Sequence, residues 1–147
     1  MRTNTIRVLL ALTAIAIACA TANAQNPSGL AGTSWKLVKL QGADEVTTVP
    51  DDGAKYTVTF NRNGRVSARV DCNRGGTTWK SPRPNELEFG SWSIETAKCP
   101  AGSLYNRIVR EGAAVRTYEI KNGHLFLMGT EAGGYYELEP LTTSRRR

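Results

Sequence analysis

Side chains that carry chemistry are scarce in this sequence. His124 is the only histidine, and Cys19, Cys72 and Cys99 are the only cysteines among 147 residues. A hydrolytic triad needs a base to take the nucleophile's proton. His124 follows the Asn122-Gly123 turn and reads as a half-exposed strand residue rather than as that base. No G-x-S-x-G stretch occurs, and Gly102-Ser103 precedes a helix that the serine can cap. Zinc wants four ligands, which two mature cysteines and one histidine do not supply. Gly75-Gly76 is too short to cradle a phosphate and precedes no helix. Neither an enzymatic activity nor a metal or other cofactor is expected.

Carboxylates are paired at Asp44-Glu45, Asp51-Asp52 and Glu86 with Glu88. The first two pairs lie in a loop and serve solubility. Glu86 and Glu88 project from one face of a strand, several ångströms apart. Glycosidase chemistry would want such a pair in a cleft with one pKa raised; the solvent face of an edge strand is the reading favoured here. A basic domain face is missing as well. The formal charge is +6, from 19 basic and 13 acidic residues. Without Arg2, Arg7 and the terminal Arg145-Arg146-Arg147 the count is 14 against 13, a net of +1. Nucleic-acid binding, which needs a basic surface on the domain itself, is not expected. The arginine tail reads as a solvated end.

Beyond the first 24 residues there is no long apolar run. Those 24 have the layout of a secretory signal: Arg2 and Arg7, an apolar stretch from Val8 to Ala20, and the A-x-A site Ala22-Asn23-Ala24. The stretch is short for a bilayer span. A soluble periplasmic or secreted protein starting near Gln25 is expected, long enough for one self-sufficient core. A competing signal is Ala16-Ile17-Ala18-Cys19, which resembles a bacterial lipobox. Acylation at Cys19 would make the protein an outer-membrane lipoprotein.

Export leaves Cys72 and Cys99. Two cysteines in an oxidising compartment favour a disulfide, with free buried thiols as the alternative. On the loop-entropy model that bridge would restrict the unfolded chain by roughly 3.6 kcal/mol.

What the mature chain has in quantity is period-two alternation with frequent turn residues. Trp35 and Leu37 share one strand face, with Val38 and Leu40 on the other. Tyr56, Val58 and Phe60 alternate with threonines, Asn63-Gly64 turns, and Val66, Ala68 and Val70 alternate with polar residues: a hairpin. Asp71 to Gly76 reads as irregular, and Thr77 to Lys80 as a short strand. Leu87 and Phe89 alternate with Glu86 and Glu88, and Gly90 marks a bend before Trp92 and Ile94. One helix is indicated, with Leu104, Tyr105, Ile108, Val109 and Gly112 on one side. Three further strands turn at Asn122-Gly123 and Gly133-Gly134. The expected fold is α+β but mostly β: a strongly bent antiparallel sheet or partly open barrel of eight or nine short strands, with one helix packed across it.

The segment Val70-Asp71-Cys72-Asn73-Arg74-Gly75-Gly76 gathers an acid, an amide, a cysteine and an arginine at one corner. It reads first as structural, with Asn73 bonding backbone in a left-handed turn. A functional reading makes it a polar recess beside Trp79 and Trp92, where Asp71, Asn73 and Arg74 meet a ligand.

Several motifs then fall in a familiar order. Gly32-Thr33-Ser34-Trp35-Lys36-Leu37 resembles the G-x-x-W-x-L opening of the META domain family, which includes the bacterial heat-shock lipoprotein HslJ. Asp71-Cys72-Asn73-Arg74-Gly75-Gly76 stands where the family has a G-C-N-x-x-x-G turn. Thr96-Ala97-Lys98-Cys99, Tyr118-Glu119-Ile120, Gly123-His124-Leu125-Phe126-Leu127 and Gly134-Tyr135-Tyr136-Glu137-Leu138-Glu139-Pro140 follow as in members. The resemblance covers about residues 29 to 140. Asp71 replaces the usual Gly, and Ala68 stands where Gly is common; both ask for a changed backbone at the corner. The resemblance implies a bent sheet crossed by a helix, a place in the cell envelope, links to stress and envelope integrity, and no established catalysis. A monomer that binds an envelope protein, peptide or lipid is expected. The alternative is a secreted hydrolase, through Glu86/Glu88 or His124, or a hydrolase inhibitor, through the loop from Gly42 to Gly53.

Overall fold

A computed structural model describes residues 29–129 and 134–142. The first 28 residues with Cys19, Gly133 and the terminal arginines lie outside the described residues. Within them are β1 (Thr33–Gln41), β2 (Thr47–Thr48), β3 (Tyr56–Phe60), β4 (Arg65–Val70), β5 (Asn73–Lys80), β6 (Glu88–Phe89), β7 (Ser93–Ile94), α1 (Tyr105–Gly112), β8 (Val115–Lys121), β9 (His124–Gly129) and β10 (Tyr135–Pro140). The strands form an antiparallel sheet in the order β6-β5-β4-β3-β1-β10-β9-β8, with β2 on β1 and β7 on β5. The two ends of that order meet. Tyr118 N–H donates to Asn85 O at 2.9 Å, and Leu87 N–H to Arg116 O at 2.8 Å. The sheet is therefore a nearly closed barrel with one helix, as expected. It has ten strands rather than eight or nine because three of them are two-residue pairings.

Local chemistry explains most of the elements. The β3–β4 hairpin follows its alternation, with Tyr56, Phe60, Val66 and Val70 buried. Its connection is a three-residue loop rather than the two-residue turn read from Asn63-Gly64. Asn61 N–H pairs with Arg65 O at 2.8 Å, and Gly64 alone has positive φ, at 77°. At Asn122-Gly123 both φ values are positive, 52° and 78°, between paired Lys121 and His124. That is the tight turn expected there.

Two strands depart from the simple reading. In β1 the register against β10 shifts between Leu37 and Lys39. This bulge moves Leu40 to the inner face, opposite Tyr136, so that Trp35, Leu37 and Leu40 all join the core. The segment from Asn73 to Gly76 is not irregular: it is the first half of β5, paired residue for residue with β4. Only Asp71 and Cys72 turn, and Asp71 itself takes the left-handed conformation, at φ 59°. Gly75 serves close approach, because a Cβ there would overlap the Ser93 carbonyl of β7.

The core is unevenly filled along the barrel. At one end Leu30, Phe60, Leu87 and Leu125 are wholly inaccessible to solvent. There Trp79 stands edge-on to Phe60, with centroids 5.3 Å apart, and donates its indole N–H to Asn61 O at 3.1 Å. Helix α1 covers the other end. Ser103 Oγ accepts from Tyr105 N–H at 3.2 Å and Leu104 N–H donates to the Tyr56 hydroxyl at 3.0 Å. Leu104, Tyr105 and Ile108 pack against the core, yet no residue of the helix is fully buried.

Candidate functional site: an apolar cavity beneath the helix

Between the filled end and α1 the barrel encloses a cavity of about 190 Å³. Its origin lies in residue sizes. Along β4, Val66 and Val70 point inward with only Ala68 between them, and Ala68 faces Gly75 on one side and Val58 on the other. No bulky side chain fills that level. From above, Ile108 enters the space, but Gly112 and Ala113 bring little volume. Leu37, Leu127, Leu138 and Val115 complete an apolar wall.

The cavity opens beside the barrel seam. The seam is hydrogen-bonded up to Leu87; after that the chain turns away to pair with β5 at Trp79–Phe89 and Gly75–Ile94. Trp92 and Val109, 36% and 40% exposed, mark the gap. Trp92 packs on Phe89 at 5.4 Å between centroids. The lining also takes in Tyr56, Thr57 and Arg69, and one buried polar atom stands out beside it. The Tyr136 hydroxyl is buried and has no hydrogen-bond partner among the described residues. Burial, helped by the nearby Glu111 charge and opposed by Arg107 and Arg110, pushes that hydroxyl well above the ordinary tyrosine range. It therefore keeps its proton at neutral pH.

The META domain profile matches residues 28–140. The chain belongs to the META domain family. The same fold occurs in an NMR structure of a protein from Burkholderia xenovorans, with a TM-score of 0.63 at 17% identity over 78% of this chain and 85% of that one. A DUF4847 family protein from Bacteroides vulgatus overlays with a TM-score of 0.54 at 15% identity, over 75% of this chain and 93% of that one. No curated protein matches the chain.

In this META domain the residues singled out from sequence fall at three places, not in one recess. Cys72 and Cys99 form a disulfide, with Cα atoms 5.5 Å apart. Asn73, fully buried, holds the same segment a second way. Its carboxamide oxygen accepts from Ala97 N–H at 2.8 Å, and its Nδ2 donates to Ala97 O at 2.9 Å. Asn73 thus sits in a strand and pairs a neighbouring peptide rather than its own turn. Asp71 N–H donates to Lys55 O and its carbonyl accepts from Arg69 Nε, at 2.8 and 2.9 Å. Arg74 pairs through its backbone with Glu95, while its side chain is exposed. These residues fasten the chain that leads into α1. Trp79 lies in the core six residues along β5, roughly 20 Å from Asn73 by strand rise. Only Trp92 reaches the cavity.

The other candidates are spread over the outer surface. Glu86 pairs with Arg83 at 2.9 Å and Glu88 with Lys80 at 2.7 Å. His124 Nδ1 lies 2.7 Å from Glu137 Oε1, and Lys39 Nζ 3.2 Å from Glu137 Oε2, in a cross-strand ladder over β1, β10 and β9. Burial pushes the Glu137 carboxyl up, but hydrogen bonds and charge from His124 and Lys39 outweigh it and hold it below the usual range. The loop from Gly42 to Gly53 carries β2 and is braced by Arg107, which donates to Thr48 Oγ1 at 2.7 Å. Sequence reading missed Tyr136 and the cavity. A tyrosine on a strand is an ordinary core residue, and only its distance from every acceptor makes it unusual.

Proposed function

We propose that this META domain protein is a non-catalytic binding module of the cell envelope, which takes an apolar group of a protein, peptide or lipid partner into the barrel cavity. The observation that carries the reading is the apolar lining beneath α1, open to solvent between Trp92 and Val109. Burying apolar surface there is worth about 25 cal/mol per Å². The leader sequence supports export, and so does the Cys72–Cys99 disulfide, a bond that persists in oxidising compartments. A soluble periplasmic or secreted monomer is the leading form, and an outer-membrane lipoprotein acylated at Cys19 is the alternative. The mass of the mature N-terminus separates them.

The test is saturable binding of a polarity-sensitive fluorophore such as anilinonaphthalene sulfonate, together with native mass spectrometry of protein taken from the periplasm. Ala68→Phe fills the cavity. Binding by the wild type that falls at least tenfold in Ala68→Phe, with circular dichroism unchanged, supports the reading. No saturable binding and no retained partner overturn it. A second reading, inhibition of a hydrolase through the loop from Gly42 to Gly53, draws on exposed Val46 and Val49 on that braced loop. Val46→Ser with Val49→Ser would abolish such inhibition and leave fluorophore binding intact.

A further inference from the structure

We infer that the Cys72–Cys99 bond is a thiol–disulfide exchange site, opened at Cys72 by the thiolate of a protein dithiol, with Cys99 as the leaving sulfur. The site stands whether or not the cavity binds a ligand. Access comes first. Exposed disulfides are among the labile ones. Cys72 is exposed and Cys99 half-buried, and Lys98 and Pro100 on either side of Cys99 are exposed as well.

The two sulfurs differ in their surroundings. Cys99 Sγ accepts from the Cys72 N–H and from Asn73 Nδ2, each at 3.3 Å. The Asn73 carboxamide is fixed, because the residue is fully buried and both its ends are held by the Ala97 peptide. Among the described residues no N–H or O–H donor stands at Cys72 Sγ, whose polar neighbour is the Ala97 carbonyl oxygen at 3.7 Å. A bonded sulfur accepts weakly, and a thiolate accepts strongly. Both donors therefore gain strength as charge builds on Cys99, which makes it the better leaving group.

In the first step the reductant's thiolate bonds to Cys72 Sγ as the S–S bond breaks, and the electron pair of that bond leaves on Cys99. In the second step the reductant's other thiol bonds to its own first sulfur, and its proton passes to Cys72. The dithiol becomes a disulfide and the cystine is reduced by two electrons. The new Cys72 S–H has the Ala97 carbonyl beside it. The polar bonds limit the opening. Asn73 still brackets Ala97, and the Tyr105 hydroxyl still donates to Glu95 O at 2.7 Å. The chain into α1 is loosened but kept in place, so the sulfurs can close again.

The experiment treats the folded, oxidised protein with excess glutathione and traps free thiols at early times with N-ethylmaleimide. Trypsin then separates Cys72 in peptide 70–74 from Cys99 in peptide 99–107, and mass spectrometry reads which sulfur carries glutathione. The expected result is glutathione on Cys72 with maleimide on Cys99, in about tenfold excess over the reverse arrangement. Equal or reversed adducts, or no opening without denaturant, overturn the assignment. Asn73→Asp keeps an oxygen for Ala97 N–H and removes the donor to Cys99, so the adduct ratio should fall towards one. A general repulsion of glutathione would slow both adducts alike and leave the ratio unchanged, and that outcome would remove Asn73 from the account. If Asn73→Asp does not fold, as circular dichroism would show, the wild-type ratio decides alone.

Discussion

The two ends of this barrel are built from the same alternating strands, yet they are packed differently. At the end holding Phe60, Trp79, Leu87 and Leu125, every level of the interior is filled and the residues at its centre are inaccessible. At the end under α1, the lining includes Ala68 and Gly112, the helix buries none of its residues completely, and a hydroxyl has no partner among the described residues. Interior close packing is the usual source of stability, so the helix end gives some up. Covalent and polar fastenings take its place: the Cys72–Cys99 bridge, the Asn73 bracket on Ala97, and the Tyr56 hydroxyl at the helix start. An end held by fastenings rather than by packing can keep a space open.

Substitutions that sharpen this contrast should have graded effects. Phe60→Ala, at the filled end, should cost about 3–5 kcal/mol in chemical denaturation, whereas Ile108→Ala beside the cavity should cost clearly less. Equal losses would erase the distinction between the ends. Replacing Cys72 and Cys99 together by alanine should remove roughly 3.6 kcal/mol on the loop-entropy model. Hydrogen exchange should then rise in α1 and in the chain from Glu95 to Ser103, and stay slow at Phe60 and Leu125. Uniform acceleration would show that the bridge does not act on the helix end. Tyr136→Phe removes an unpaired buried hydroxyl and should raise stability by about 1 kcal/mol; a loss of that size would mean the hydroxyl has a partner.

The smallest effect concerns the outer ladder that spans both ends. Glu137 and Glu139 are held below the ordinary carboxylate value of 4.5, Glu137 against its burial by His124 and Lys39, Glu139 by Lys36. A carboxylate depressed in the folded state adds stability above its unfolded pKa and loses it as pH falls through the folded value. Urea stability should therefore decline below about pH 4.5. Glu137→Gln should flatten that decline and cost about 1 kcal/mol at pH 7, since its partners Lys39 and His124 are half-exposed and such pairs are weak. An unchanged pH profile would remove the ladder from the account.

How legible each feature was follows from its range in sequence. The β3–β4 hairpin and the Asn122-Gly123 turn could be read directly, because alternation and turn chemistry act between neighbours. The helix was found from its spacing and from Ser103. The first half of β5 was hidden by Gly75-Gly76 and polar neighbours, although buried Asn73, Thr77 and Trp79 alternate with exposed Arg74, Thr78 and Lys80. The Val38 bulge left no local mark. Asp71 and Arg74 drew notice for their chemistry, but they act largely through backbone bonds, which residue type does not reveal.

By itself, the sequence determined a mostly β chain with one helix and a pair of cysteines, Cys72 and Cys99, within the domain, because these depend on periodicity, composition and count. Tertiary structure alone decided where the barrel fails to fill. A cavity is set by which inward side chains meet across the interior. Ala68, Gly112 and Tyr136 come together only when three segments distant in sequence close around the same space.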